Sequence, residues 1–122
     1  MSSARKVLAA VALGVSALAV APLTANAQTL HVTHITCHEQ EDNTGADDIY
    51  LQVDGGTVME SIQFVKGDSK DISGVGIEQG KVLVMREGDF PDEDDNLGQK
   101  AITGPGTYEF TDDGAHYTVT VG

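Results

Sequence analysis

Apolar and polar positions along residues 30–121 follow no helical spacing. They form short runs rich in β-branched residues, separated by Gly, Asp and Asn, as strands between tight turns would. The clearest run is His116–Val121, where Tyr117, Val119 and Val121 alternate with polar neighbours, so one face points inward and the other to water. Leu30–Cys37 mixes apolar and polar positions as a first strand. Ile49–Val53 is a second, closed by the turn signal Asp54-Gly55-Gly56, and Val58–Val65 a third. Lys66-Gly67-Asp68 turns the chain, and a short piece around Asp71–Ile72 forms a fourth. Lys81–Arg86 carries Val82, Leu83, Val84 and Met85 in a row, a near-continuous apolar run suited to a central strand. Gln99–Ile102 and Thr107–Phe110 complete the set. About eight strands at this spacing predict an all-β protein, a small antiparallel eight-stranded sandwich. An eight-stranded barrel would give much the same pattern.

The first 27 residues stand outside this pattern. Arg5 and Lys6 precede an uncharged stretch, Val7–Val20, built from Val, Leu and Ala with one Gly and one Ser; Pro22 follows, then Ala25-Asn26-Ala27. Those are the three parts of a cleavable secretory signal. The apolar run of roughly 14 residues is short of the ~20 needed to span a bilayer. Cleavage after Ala27 predicts a domain over residues 28–122 and a secreted, extracellular protein of bacterial export type. Cys37, the single cysteine, lies too far past that point to anchor a lipid. It cannot form an internal disulfide, which leaves burial or pairing between chains, burial being the simpler reading.

Charge narrows the function. The whole chain carries 19 Asp and Glu against 7 Lys and Arg, a formal −12. Loss of Arg5 and Lys6 with the signal takes this to −14. Self-repulsion at that density opposes a compact state unless a cation neutralises it, and it disfavours nucleic acid and anionic membranes. The acids are grouped. Glu39, Glu41, Asp42, Asp47 and Asp48 lie between the first two strands; Glu87, Asp89, Asp92, Glu93, Asp94 and Asp95 come directly after the strongest apolar strand. Acidic runs are most often solvated surface. Two carboxylate-rich loops of this kind nevertheless suit calcium, a hard cation that takes six to eight oxygens, better than octahedral magnesium.

The two loops also resemble a known pair. Asp42-Asn43-Thr44-Gly45-Ala46-Asp47-Asp48-Ile49-Tyr50, and the stretch Glu87-Gly88-Asp89-Phe90-Pro91-Asp92-Glu93-Asp94-Asp95-Asn96-Leu97-Gly98 after its apolar strand, are similar to the first and third calcium loops of C2 domains. The resemblance implies a C2-like sandwich binding Ca2+ through Asp42 and Asp48 from one loop and Glu87, Asp89, Asp92 and Asp95 from the other. Gly45, Tyr50 and the closing Leu97-Gly98 match the family pattern. Ile49 in place of proline, Asp47 in place of serine and Glu87 in place of aspartate depart from it, and the longer Glu87 must reach its ion differently.

Other chemistry is weakly represented. His31, His34, Cys37 and His38 are potential zinc or copper ligands, but strict alternation puts His31 and Cys37 on one face and His34 and His38 on the other. No G-x-S-x-G, H-E-x-x-H or phosphate-binding glycine loop occurs, no local pattern links Ser to His, and there is no Trp to line a sugar cleft. The sequence therefore reads as a non-enzymatic binding module whose calcium loops capture an extracellular protein or glycan. Membrane docking is disfavoured by the scarcity of basic residues and by Phe90 as the lone apolar loop tip. The alternative is an adaptor or assembly subunit of a larger secreted complex, with calcium structural or absent.

Overall fold

The computed structural model describes residues 27–41, 44–89 and 91–122. Residues 1–26 of the expected 27-residue secretory segment fall outside that range, as do Asp42, Asn43 and Phe90. The described chain is all-β: nine strands in two antiparallel sheets, with one 3-10 turn at Asp112–Gly114. In chain order they are β1 (Thr29–Glu39), β2 (Asp47–Val53), β3 (Gly56–Phe64), β4 (Ser69–Asp71), β5 (Gly76–Glu78), β6 (Val82–Gly88), β7 (Asp95–Ala101), β8 (Gly106–Phe110) and β9 (His116–Val121). The predicted sandwich is present, with nine strands in place of eight. The additional one, β5, is three residues long, too short for alternation to reveal, and holds only Ile77 in the core.

One sheet runs β4-β1-β9-β8, with β5 also pairing β1; the other runs β3-β2-β6-β7. β1 serves two edge partners in turn, β5 through Thr29–His31 and β4 through His34–Thr36. A register shift between Val32 and His34 separates the two stretches. That bulge inserts a residue and reverses the facing of the rest of the strand. It corrects the alternation expected for β1: Val32 and then Ile35 and Cys37 point inward, while His31 and His34 both face out. Cys37 is fully buried.

The core lies between the sheets. Ile35, Val119 and Tyr117 from one meet Ile49, Leu51, Leu83, Met85 and Leu97 from the other, with Phe64 and Phe110 closing one end. Phe64 and Tyr117 pack edge to face at 5.8 Å, the geometry their ring quadrupoles favour. Gly98 has φ +135°, and a Cβ there would sit 3.4 Å from Phe110 Cα, so a glycine lets β7 approach Phe110 from the opposite sheet. Asp54 and Gly55 (φ 53° and 80°) form the two-residue turn from β2 to β3, where positive φ at both positions matches strand twist.

Direction along the strands separates two ends. Residues 40–41, 44–46, 65–68, 91–94 and 111–115, with Asp89, gather at one of them. At the other, the start of β1 lies beside the end of β9, where His31 and Gly122 exchange backbone hydrogen bonds of 2.8 and 2.9 Å.

Candidate metal centre

Strand phase decides which acids meet. β2 begins at Asp47, so Asp47, Ile49 and Leu51 share the inward face and Asp48 faces out. β6 runs through Gly88, which puts Glu87 in phase with Leu83 and Met85. Asp47 and Glu87 are 0% and 3% exposed, the two buried charged residues among those described. β7 begins at Asp95, directly across from Glu87. Like charges opposed across a ladder destabilise it, so this end of the sheet carries a built-in electrostatic cost.

Three sets of carboxylates converge there: Glu41, Asp47 and Glu87; Glu87, Asp89 and Asp95; and Glu41, Asp95 and Asp113. Within each set, one oxygen from every residue lies within 4.8 Å of the others. Oxygens bound to one calcium at about 2.4 Å are at most about 4.8 Å apart, so each set fits around a single ion. Each pair of sets shares one member, Glu87, Asp95 or Glu41, so the three form one connected cluster at the end of the sandwich. Asp113 enters from the turn between β8 and β9, with φ +61°, so both sheets contribute. At this spacing two ionised carboxylates repel by on the order of 3 kcal/mol at an effective dielectric constant near 20. The donors are all carboxylate oxygens, without His or Cys, which matches calcium rather than zinc or copper.

Hydrogen bonds fix several of these groups. Asp47 Oδ2 accepts from the Tyr117 hydroxyl at 2.6 Å and the Glu41 backbone N–H at 2.8 Å. The Asp48 N–H donates to Glu87 Oε2 at 3.4 Å. Burial, and then the bond to Asp47, push the Tyr117 phenol far above its ordinary ionisation range. Burial likewise raises the Cys37 thiol, partly offset by its contact with Tyr117. The cluster of acids is thus joined through Tyr117 to the core thiol.

At the same end, an open cleft of about 540 Å³ is lined by Ala46, Asp48, Ser61, Glu87, Gly88, Asp89 and Asp94. Asp94 organises the second loop. Its carboxylate accepts from the Tyr50 hydroxyl at 2.5 Å and the Asp89 N–H at 3.2 Å, while its carbonyl accepts from Arg86 at 3.0 Å. The Tyr50 bond, followed by that from Asp89, holds the Asp94 carboxyl below the usual carboxylate range.

Of the sequence-derived ligands, Glu87, Asp89 and Asp95 are brought together in one set. Asp48 lines the cleft and belongs to none of the sets; Asp92 is exposed and also outside them. Asp42 lies outside the described residues. Glu41, Asp47 and Asp113 join the sets without having been marked by the loop pattern. Asp47 is readable in the sequence, since it continues the inward series Leu51, Ile49 backwards by two. Asp113 depends on how the two sheets pack, which no local pattern carries. No family model matches the chain, and no curated protein matches it.

Proposed function

We propose that this chain is an exported calcium-binding module, with the ion held by the carboxylates at one end of the sandwich and a protein or glycan partner engaged there. The observation that carries this reading is the overlap of three carboxylate sets, each of a span that one calcium fits. The resemblance to C2 loops supports it, because three of the ligands it assigns to the second acidic loop fall in one set. The reading departs from that resemblance in the first loop, where Asp47 and Glu41 replace Asp48. Chemistry at this end is binding; the acids neutralise, position and bridge.

The test is a calorimetric titration of the protein with calcium, with magnesium as control, repeated on Glu87→Gln and Asp89→Asn. Saturable calcium heat, weakened by both variants and much smaller with magnesium, supports the proposal. A folded protein that gives no calcium heat overturns it. Burial of Asp47 and Glu87 favours a second reading of the same ion, as a structural clasp within an adaptor subunit. The two readings separate on the partner: capture that survives neutralisation of Asp89 and Asp95 in a folded protein makes the ion structural.

A further inference from the structure

On the outer face of the first sheet, at the edge made by β4, a second constellation lies apart from the acidic cluster. Antiparallel pairing places Asp71 directly across from His34 and Ser69 across from Thr36. Ser69 and Asp71, two residues apart, therefore flank the imidazole on the same face. His34 Nδ1 is 2.8 Å from Asp71 Oδ1, and His34 Nε2 is 2.5 Å from Ser69 Oγ. Thr36 Oγ1 is 2.8 Å from Ser69 Oγ. With a neutral imidazole, one assignment satisfies all three contacts. The carboxylate can only accept, so Nδ1–H donates to Asp71; Nε2 then accepts from Ser69 O–H, and Thr36 O–H donates to Ser69 Oγ. This is the order of contacts in which a serine is made nucleophilic by a histidine base that a carboxylate orients.

We propose that Ser69 is an acyl-transfer nucleophile, with His34 as its general base and Asp71 as a positioning residue, acting on small activated esters. The backbone adds a donor. Asp68 and Ile72 direct their backbone groups to β1, through Cys37 N–H to Asp68 O and Ile72 N–H to Thr33 O. Alternation then turns the Ser69 N–H away from β1, out of the sheet edge, on the side from which an ester carbonyl can approach. Ser69 and Asp71 are exposed and His34 is half-buried, so the nucleophile is accessible and the substrate is selected by reactivity more than by shape. Asp71, 95% exposed, is screened by water, which keeps the acceleration small compared with that of a buried triad.

In the reaction, Ser69 Oγ bonds to the ester carbonyl carbon as its proton passes to His34 Nε2. The carbon–oxygen bond to the leaving alcohol breaks, the alkoxide or phenolate takes the pair and the proton held at Nε2, and an acyl-Ser69 ester remains. Water then attacks that ester, giving its proton to Nε2. The carboxylic acid leaves, and Ser69 recovers its proton from the imidazole. The net change is ester plus water to acid plus alcohol.

The experiment treats the purified protein with a fluorophosphonate probe and maps adducts by peptide mass, with p-nitrophenyl acetate turnover measured in parallel. Ser61 and Ser73 serve as internal comparators. Ser69 should label at least about tenfold faster than either, below the ~10²–10⁴-fold of a well-positioned base because Asp71 is solvent-screened. His34→Gln should bring Ser69 down to the comparators, and Ser69→Ala should remove the adduct and the p-nitrophenolate release above buffer. Asp71→Asn should slow labelling severalfold. These side chains lie on the outer face, so circular dichroism should show each variant folded. Labelling of Ser69 no faster than Ser61 and Ser73, or unchanged by His34→Gln, would overturn the proposal.

Discussion

The interior of this sandwich has two regions built on the same strands in the same phase. In the middle, β2 and β6 present Ile49, Leu51, Leu83 and Met85; at one end the next inward positions are Asp47 and Glu87. Burial is alike in both, and the chemistry is opposite. The apolar middle gains by excluding water, about 25 cal/mol for each Å² removed. The acidic end loses by the same exclusion and needs a cation, a donor or a proton to offset it. One region should therefore be indifferent to ions, and the other should depend on them.

The largest expected effect breaks the middle alone. Leu83→Ala, at a fully buried position of that middle, should cost about 2–5 kcal/mol in urea unfolding, and the loss should be the same in calcium and in chelator. A calcium-dependent loss would show that the two regions are energetically one.

Next comes the ion itself. At a hundredfold excess over its dissociation constant, calcium should add about 2.7 kcal/mol, visible as a higher melting temperature in millimolar calcium if affinity lies at the ~10⁻⁴ M typical of extracellular modules. Glu87→Gln should abolish most of this gain. In chelator the same variant should be at least as stable as the parent, since it removes one of the repelling charges.

Tyr117 sharpens the comparison, because its ring belongs to the core and its hydroxyl to Asp47. Tyr117→Phe keeps the ring and removes a charge-assisted hydrogen bond, so it should cost about 1.5–2 kcal/mol. The pH dependence has a definite sign. Tyr117 and Cys37 both ionise less readily folded than unfolded. Their contribution is complete below the ordinary values of 9.0 for the thiol and 10.0 for the phenol, and is lost as pH rises beyond them. Alkaline unfolding should therefore steepen from about pH 9, and less so in Tyr117→Phe.

The smallest effect is local. Tyr50→Phe should return the Asp94 carboxyl upward toward its usual range, as read from its NMR titration, with little change in the melting temperature because Asp94 is exposed.

Much of the fold is legible in the sequence because most strands are long enough to show their period. His116–Val121 and Lys81–Arg86 announce themselves; Gly76–Glu78 does not. The acids are legible as a cluster but less so as a set of partners. The C2 resemblance assigns the ligand role to Asp48, whereas the alternation that turns Ile49 and Leu51 inward carries Asp47 with them and leaves Asp48 outside, since one step along a strand exchanges the core for solvent. Strand phase thus decides which carboxylate meets Glu87. The Ser69–His34–Asp71 contacts are invisible in the sequence for another reason: they exist only once β4 pairs with β1, across more than thirty residues of chain, and a bulge in β1 sets the facing of His34.

The pairing of His31 with Gly122 has a mechanical consequence. The first and last strands are neighbours, and the two extremities of the sandwich leave it side by side, at the end remote from the acids. Tension applied between them would peel β9 from β1 one rung at a time, an unzipping geometry that yields at lower force than shear along a whole ladder. A sandwich tethered at either extremity would instead hold its acidic end outward, unloaded and facing whatever approaches.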